Sequence, residues 1–128
     1  MSLIDANIVL RYLLDDHAVL SPLATEILEQ QAVTLPIEAA CEVVYVLQKV
    51  YSVERDIISQ RLTELVSEDL VRMDKPGVFL RALECYCQRG LDFVDCLLLG
   101  YHLEEQQPII TFDDKLAKLI KAQARGGA

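Results

Sequence analysis

Short apolar segments alternate with longer segments of helical periodicity, and this alternation constrains the fold of the chain more than any other feature. The pattern predicts strands at residues 2–4, 33–35, 70–73 and 108–111. It predicts helices at residues 7–14, 20–31, 36–51, 53–66, 77–88, 94–106 and 114–122. Short strands separated by helices are typical of a mainly parallel sheet with helices on both faces. We therefore expect a three-layer α/β fold around a short central sheet.

The composition predicts a single domain that spans residues 1–128. With 52% hydrophobic residues the chain can bury a sizeable core, and no Gly-, Ser- or Pro-rich linker divides it. The N-terminus lacks a basic segment, and Asp95 and His102 interrupt the longest apolar run. We expect a cytoplasmic protein with no signal peptide, no membrane span and a loose Gly126-Gly127 tail.

Two further expectations concern the core. The periodicity of the third helix predicts one buried face, made of Ala39, Val43, Val46, Leu47 and Val50. The cysteines have apolar neighbours and no metal-ligand spacing, so we expect reduced and buried thiols. They are Cys41, Cys85, Cys87 and Cys96.

The formal net charge of -8 argues against a passive nucleic-acid binder, because sequence-independent binding to phosphates depends on Lys and Arg. An acidic protein that handles nucleic acid needs another source of positive charge. Bound Mg²⁺ or Mn²⁺ provides one, since carboxylates that hold cations become attractive to phosphate. A basic protein partner suits the same charge.

Asp5 and Asp113 each follow directly after a predicted strand. In an open parallel sheet, ligand sites lie beyond the carboxyl ends of the strands, which is where both residues are placed. The alternative is local, because Asp is a favoured N-cap and each residue precedes a predicted helix.

Two more acids are candidates for the same site. Asp95 interrupts a helix that is apolar nearly all round, and the alternative to an inward-facing carboxyl is a capping box with Asp92. Glu42 lies inside the third helix, where capping cannot explain it, although a glutamate there is usually an exposed edge residue. Four acids that converge on one sheet edge repel each other, which favours bound cations.

Oxygen ligands of this kind suit Mg²⁺ or Mn²⁺. Two such ions activate a water and stabilise the departing oxygen in an in-line attack at phosphorus, without a Ser, Cys or His nucleophile. The chain agrees with that chemistry, because its only histidines are His17 and His102 and it contains no G-x-S-x-G, P-loop or G-x-G-x-x-G motif.

The run Leu3-Ile4-Asp5-Ala6-Asn7, followed by an apolar helix, resembles the opening motif of PIN domains, the metal-dependent nuclease fold that includes VapC-type toxins. Three further blocks resemble the family in order and spacing: EVVYVL at 42–47, DFVDC at 92–96 and TFDDKL at 111–116. The resemblance implies that the catalytic metal ligands are Asp5, Glu42, Asp95 and Asp113.

The resemblance also implies roles around these acids. It gives Asn7 and Thr111 supporting roles, although Asn7 also suits a first helical turn and Thr111 a strand. Arg11, four residues after Asn7, can contact a phosphate or remain a solvated surface residue. Asp92 and Asp114 stay outside the set of four implied metal ligands.

The chain departs from many PIN domains because no strand is predicted after the last block, so we expect the sheet to close with four strands.

By resemblance, the protein is a Mg²⁺- or Mn²⁺-dependent endoribonuclease and the toxin of a toxin–antitoxin pair. Its implied partners are RNA and a cognate antitoxin, and a homodimer stays open. A housekeeping RNA-processing nuclease is one alternative. An interaction module that binds a basic protein on a PIN scaffold is another. A haloacid-dehalogenase phosphatase also begins with a strand and an aspartate, but it needs a second Asp where Asn7 stands.

Overall fold

The computed structural model describes residues 1–125, and the predicted Gly126-Gly127 tail lies outside them. Across these residues the chain forms seven helices and two strands. It divides into two compact units, Met1–Pro76 and a second unit that begins at Gly77. The fold class is α/β with a short parallel sheet, as the alternation of segments predicts.

The sheet lies in the first unit and is shorter than predicted. Strand β1 (Ser2–Leu3) pairs in parallel with β2 (Val33–Thr34). The predicted third strand is reduced to one parallel bridge between Thr34 and Arg72, flanked by a 2.9 Å hydrogen bond from the Arg72 N–H to the Val33 carbonyl. The sheet therefore consists of two short paired strands and one further bridge.

Four helices complete the first unit: α1 (Ala6–Leu14), α2 (Leu20–Gln30), α3 (Ile37–Lys49) and α4 (Arg55–Ser67). Helix α1 packs against α2 and α3, and α3 packs against α4. Asp15 ends α1 in the left-handed conformation, with φ of 47°, and its N–H donates to the Arg11 carbonyl. These helices begin and end within two residues of the predicted positions.

The buried face of α3 differs from the predicted one. The structure buries Ala40, Val43, Val44 and Leu47. Val50 lies just beyond the helix and is 64% exposed, while Ala39 and Val46 are only half-buried. Val43 and Leu47 are buried as predicted, and the rest of the face is turned around the helix toward Ala40 and Val44, a rotation that periodicity alone does not distinguish.

The second unit is built from α5 (Pro76–Gln88), α6 (Phe93–Glu105) and α7 (Asp114–Arg125). Phe93 packs edge-on against Phe79 and Tyr86, with ring centroids 5.7 Å apart in both pairs. Helices α5 and α6 approach closely at Gly100, where an added Cβ would lie 2.8 Å from the Val78 carbonyl oxygen. Helix α7 packs against α6.

Two predictions for this part of the chain are wrong. Residues 108–111 form no strand within residues 1–125, and Ile110 is 99% exposed. The segment has strand-forming side chains, but the described structure offers it no strand partner, and pairing is what stabilises a strand. Cys85 and Cys96 are buried as expected, whereas Cys87 is exposed.

Candidate metal centre

Asp5 stands between β1 and α1 and caps the helix. Its Oδ1 accepts a 3.2 Å hydrogen bond from the Ile8 N–H, which fixes the carboxylate at the end of the strand as the capping alternative predicts. Its second carboxylate oxygen has no hydrogen bond to any residue from 1 to 125. Asp5 also borders an open depression of about 490 Å³ whose other lining residues are apolar: Leu3, Ile4, Ile8 and Ile27.

Glu42 and Asn7 are exposed in the first unit. Glu42 lies in the middle of α3, so it cannot cap either end of that helix. Asn7 lies in the first turn of α1. Neither side chain makes a hydrogen bond within the described part of the chain. Both therefore remain accessible to a ligand from solvent.

Arg11 has partners inside the protein. One guanidinium nitrogen pairs with Asp16 at 2.8 Å, and the other donates to the Tyr51 hydroxyl at 3.3 Å. The side chain is only 17% exposed, and its buried Nε has no partner among residues 1–125. These contacts tie the end of α1 to the segment after α3. The phosphate contact stays a prediction.

Asp113 opens α7 much as Asp5 opens α1. Its Oδ1 accepts a 2.8 Å hydrogen bond from the Leu116 N–H. The Asp113 N–H in turn donates to the Thr111 hydroxyl oxygen at 3.0 Å. Thr111 thus orients Asp113 through the backbone, in a loop rather than in a strand, and this contact suits the supporting role that the resemblance implies.

Asp95 lies in the first turn of α6 and is half-buried. Burial raises the pKa of the Asp95 carboxyl, and the negative charges of Asp113 and Asp92 raise it further. The capping-box alternative is wrong, because Asp92 occupies the N-cap position without a side-chain hydrogen bond to the helix. The second unit therefore places two further carboxylates, Asp92 and Asp113, near enough to Asp95 for their charges to act on it.

This acidic cluster, made of Asp92, Asp95 and Asp113, has the chemistry of a divalent-cation site. All its donors are hard oxygens, and a bound cation would relieve the repulsion that adds to the effect of burial on the pKa of Asp95. As the side chains stand, no group of three or more His, Cys, Asp or Glu residues in the described chain is close enough together to hold an ion. The type of donor, a carboxylate oxygen, fits Mg²⁺ or Mn²⁺.

Phe112 is a residue of this region that sequence analysis passes over. It lies between Thr111 and Asp113, and its side chain is fully exposed to solvent. An aromatic residue in a strand-like segment is normally assigned to the core, so residue type alone does not predict this exposure. The available signal was its place inside the fourth resemblance block.

No helix within residues 1–125 is long and apolar enough to cross a membrane.

The sequence profile of the PIN domain matches residues 2–122, which is nearly the whole chain. The chain belongs to the PIN domain family. PIN domains are in general nucleases, which act on nucleic acid and generally use divalent metals. No curated protein and no solved structure matches the chain.

Proposed function

We propose that the protein is a Mg²⁺- or Mn²⁺-dependent endoribonuclease that hydrolyses RNA phosphodiester bonds. The observation that carries the proposal is the cluster around Asp95, a half-buried carboxyl whose pKa is raised by its burial and then by the negative charges of Asp113 and Asp92. Such repulsion is unfavourable for folding alone and is relieved when a cation binds, which is the arrangement a metal-dependent phosphodiesterase needs.

Within this proposal Asp5, Asp95 and Asp113 hold the main metal, and Glu42 completes a second site or takes the proton of the attacking water. Asn7 and Thr111 support the acids. Bound Mg²⁺ or Mn²⁺ supplies positive charge for the phosphate and lowers the pKa of water.

The capping bonds at Asp5 and Asp113 hold two of these carboxylates in place. The water oxygen forms a bond to phosphorus, the bond from phosphorus to the leaving oxygen breaks, and that oxygen takes up a proton.

We further propose that the enzyme is the toxin of a toxin–antitoxin pair in the cytoplasm. The support is the depression beside Asp5, whose apolar lining includes Leu3, Ile8 and Ile27. An antitoxin helix with an apolar face and one basic residue fits an apolar depression that ends at a carboxylate. A homodimer and a housekeeping RNA target are compatible with the same active site.

Two observations favour a second function, that of a non-catalytic module which binds a basic protein. The chain carries a net charge of -8, and within residues 1–125 no set of three metal-capable side chains is poised for an ion. A merely acidic surface attracts a basic partner without a saturable metal site. Mn²⁺ titration separates the two functions, because only the nuclease requires saturable binding.

The decisive experiment is cleavage of labelled structured and single-stranded RNAs with Mn²⁺, Mg²⁺ or EDTA. The wild type is compared with Asp95→Asn and with the matched control Asp74→Asn, which removes an exposed acid outside the proposed site. We expect metal-dependent cleavage by the wild type and the control, and a loss on the order of a hundredfold or more in Asp95→Asn, because stabilisation by a metal is worth several kcal/mol. Equal cleavage by all three proteins contradicts the site.

A further inference from the structure

Helix α7 carries a basic face on an otherwise acidic protein. The whole chain has 20 acidic and 12 basic residues, whereas α7 has one acidic residue, Asp114, and four basic residues. Three of these, Lys115, Lys118 and Lys121, are exposed. A spacing of three residues on an α-helix keeps neighbouring side chains on one face, so these lysines form a single stripe. We call them the lysine stripe.

The lysine stripe is available to a ligand. None of its three lysines forms an ion pair within residues 1–125. On the other side of α7, Leu116 is buried at 1% exposure, which fixes the rotation of the helix and turns the stripe to solvent. At a rise of 1.5 Å per residue, the stripe extends for about 9 Å from its first lysine to its last.

Phe112 lies two residues before the start of the same helix. Its ring is fully exposed, and the neighbouring Ile110 is 99% exposed. The backbone around Phe112 is held by the bond from the Asp113 N–H to Thr111 and by the capping bond of Asp113 to Leu116. An exposed aromatic ring on a fixed backbone, next to a row of cations, is the arrangement that proteins use to bind single-stranded nucleic acid.

We propose that Phe112 and the lysine stripe form a binding surface for single-stranded RNA that leads the substrate to Asp113. A base stacks on the Phe112 ring while the phosphates on one side of it lie along α7. The inference rests on the proposed function in taking RNA as the substrate and Asp113 as a metal ligand. It accounts for how an enzyme with a net charge of -8 holds a polyanion, because phosphate binding and metal binding occupy adjoining places.

The first test measures binding of a fluorescent single-stranded RNA of about twelve nucleotides, a length within known single-strand site sizes, in EDTA so that no cleavage occurs. The test protein has Lys115, Lys118 and Lys121 replaced by Gln. The control has the same loss of charge at Lys49, Arg61 and Arg72, which are exposed and lie outside α7.

For the stripe variant we expect weaker binding and a slope of log Kd against log salt that falls by about 2, since each phosphate contact on a single strand contributes about 0.7. The control should bind like the wild type. Equal dissociation constants and slopes for all three proteins overturn the proposal.

The second test addresses Phe112. Phe112→Ala should raise the dissociation constant by about fivefold to a hundredfold, the range reported for loss of one base stack, whereas Ile110→Ala should change it less than twofold. One abasic nucleotide is then moved along the RNA. At the stacking position it should weaken binding by the wild type but not weaken Phe112→Ala further. If Phe112→Ala has no effect and polyglutamate competes as well as RNA, the surface is an acidic-protein contact and the proposal is wrong.

Cleavage with Mn²⁺ separates this inference from the proposed function. The stripe variant should show a raised KM for the twelve-nucleotide RNA and an unchanged kcat. If the wild type cleaves RNA and the variant matches its KM, the nuclease stands and the binding surface is refuted. If no protein cleaves RNA but the stripe variant loses RNA binding in EDTA, the binding surface stands and the nuclease is refuted.

Discussion

Asp5 and Asp113 each engage one carboxylate oxygen with the backbone N–H of a helix. Capping and metal binding are compatible in one residue, because a carboxylate has two oxygens with several lone pairs. A capped carboxylate also has less conformational freedom to lose when a cation arrives. The local interpretation of these acids thus explains how the proposed site is held, and does not compete with it.

Substitutions at Asp113 separate its two roles. Asp113→Asn keeps a good N-cap and removes the charge, so the free energy of unfolding should stay near that of the wild type while metal-dependent cleavage is lost. Asp113→Ala removes both, and should also lower the free energy of unfolding by about 1 kcal/mol. Urea unfolding and an RNA cleavage assay on both variants make the comparison. Full activity in the stable Asn variant would exclude Asp113 as a ligand.

The charge of Asp95 predicts a dependence of stability on pH in the absence of metal. Burial and the charges of Asp113 and Asp92 raise its pKa above the ordinary value of 3.8, so ionisation of Asp95 costs folding free energy. The favourable contribution of the protonated form is complete below 3.8 and is lost as the pH rises through the raised pKa. In EDTA, Asp95→Asn should therefore gain thermal stability relative to the wild type between pH 3 and pH 7. A stability difference that does not change with pH contradicts the cluster.

Residue types and their order in the chain were enough to select the candidate acids, but not to predict which groups surround each of them. The place of Asp5 after a strand predicted its capping bond correctly, because capping depends on neighbours in sequence. The influence of the Asp113 charge on the pKa of Asp95 depends on the packing of α7 against α6, and no local pattern encodes that packing. For the same reason, sequence did not reveal that Phe112 is exposed.

At the scale of helices, Gly100 controls how closely α6 approaches α5. A Cβ at this position would lie 2.8 Å from the Val78 carbonyl oxygen, closer than packed atoms allow. Gly100→Ala should lower the free energy of unfolding by about 1 to 3 kcal/mol, in spite of the better helix propensity of Ala. At Gly77 an added Cβ would meet only Glu104 at 3.8 Å, so Gly77→Ala is the matched control and should be neutral or stabilising. A stable Gly100→Ala variant would show that the helices are not so close.

Arg11 holds the end of α1 by its contacts with Asp16 and Tyr51. Arg11→Ala should lower the free energy of unfolding by about 1 kcal/mol and leave the kcat for RNA unchanged, because both terminal guanidinium nitrogens already have partners within the protein. Tyr51→Phe should give a smaller loss by removing only the hydroxyl. Chemical unfolding and steady-state kinetics test both variants. A large fall in kcat/KM with unchanged stability would favour the phosphate contact instead.

The positions of the helices were predicted from the sequence more accurately than those of the strands. A helix makes its hydrogen bonds within one segment, so caps such as Asp5 and Asp15 predict its ends. A strand needs a partner from elsewhere in the chain, and the strand propensity of residues 108–111 cannot supply one. Residues 70–73 show the intermediate case, since only Arg72 forms a bridge.

At the scale of the whole molecule, the net charge of -8 and the proposed metal site predict different effects of KCl and of Mn²⁺ on the melting temperature. Added KCl screens the general repulsion and should raise the melting temperature slightly. Mn²⁺ at the same ionic strength should raise it further, because specific binding at a hundred times the Kd adds about 2.7 kcal/mol. Differential scanning fluorimetry with and without Asp95→Asn measures the difference. Identical curves for Mn²⁺ and KCl would argue against a specific site.

The exposure of Ile110 and Phe112 also bears on how the protein behaves at high concentration. The segment PIITF, residues 108–112, carries no charge and has high strand propensity, which is the composition of an aggregation-prone stretch. Pro108 lies at one end, and Asp113 and Asp114 at the other act as gatekeepers, because proline and repelling charges block the stacking of strands. Asp113, which the proposed enzyme uses for chemistry, thus also helps to keep this exposed apolar segment in solution.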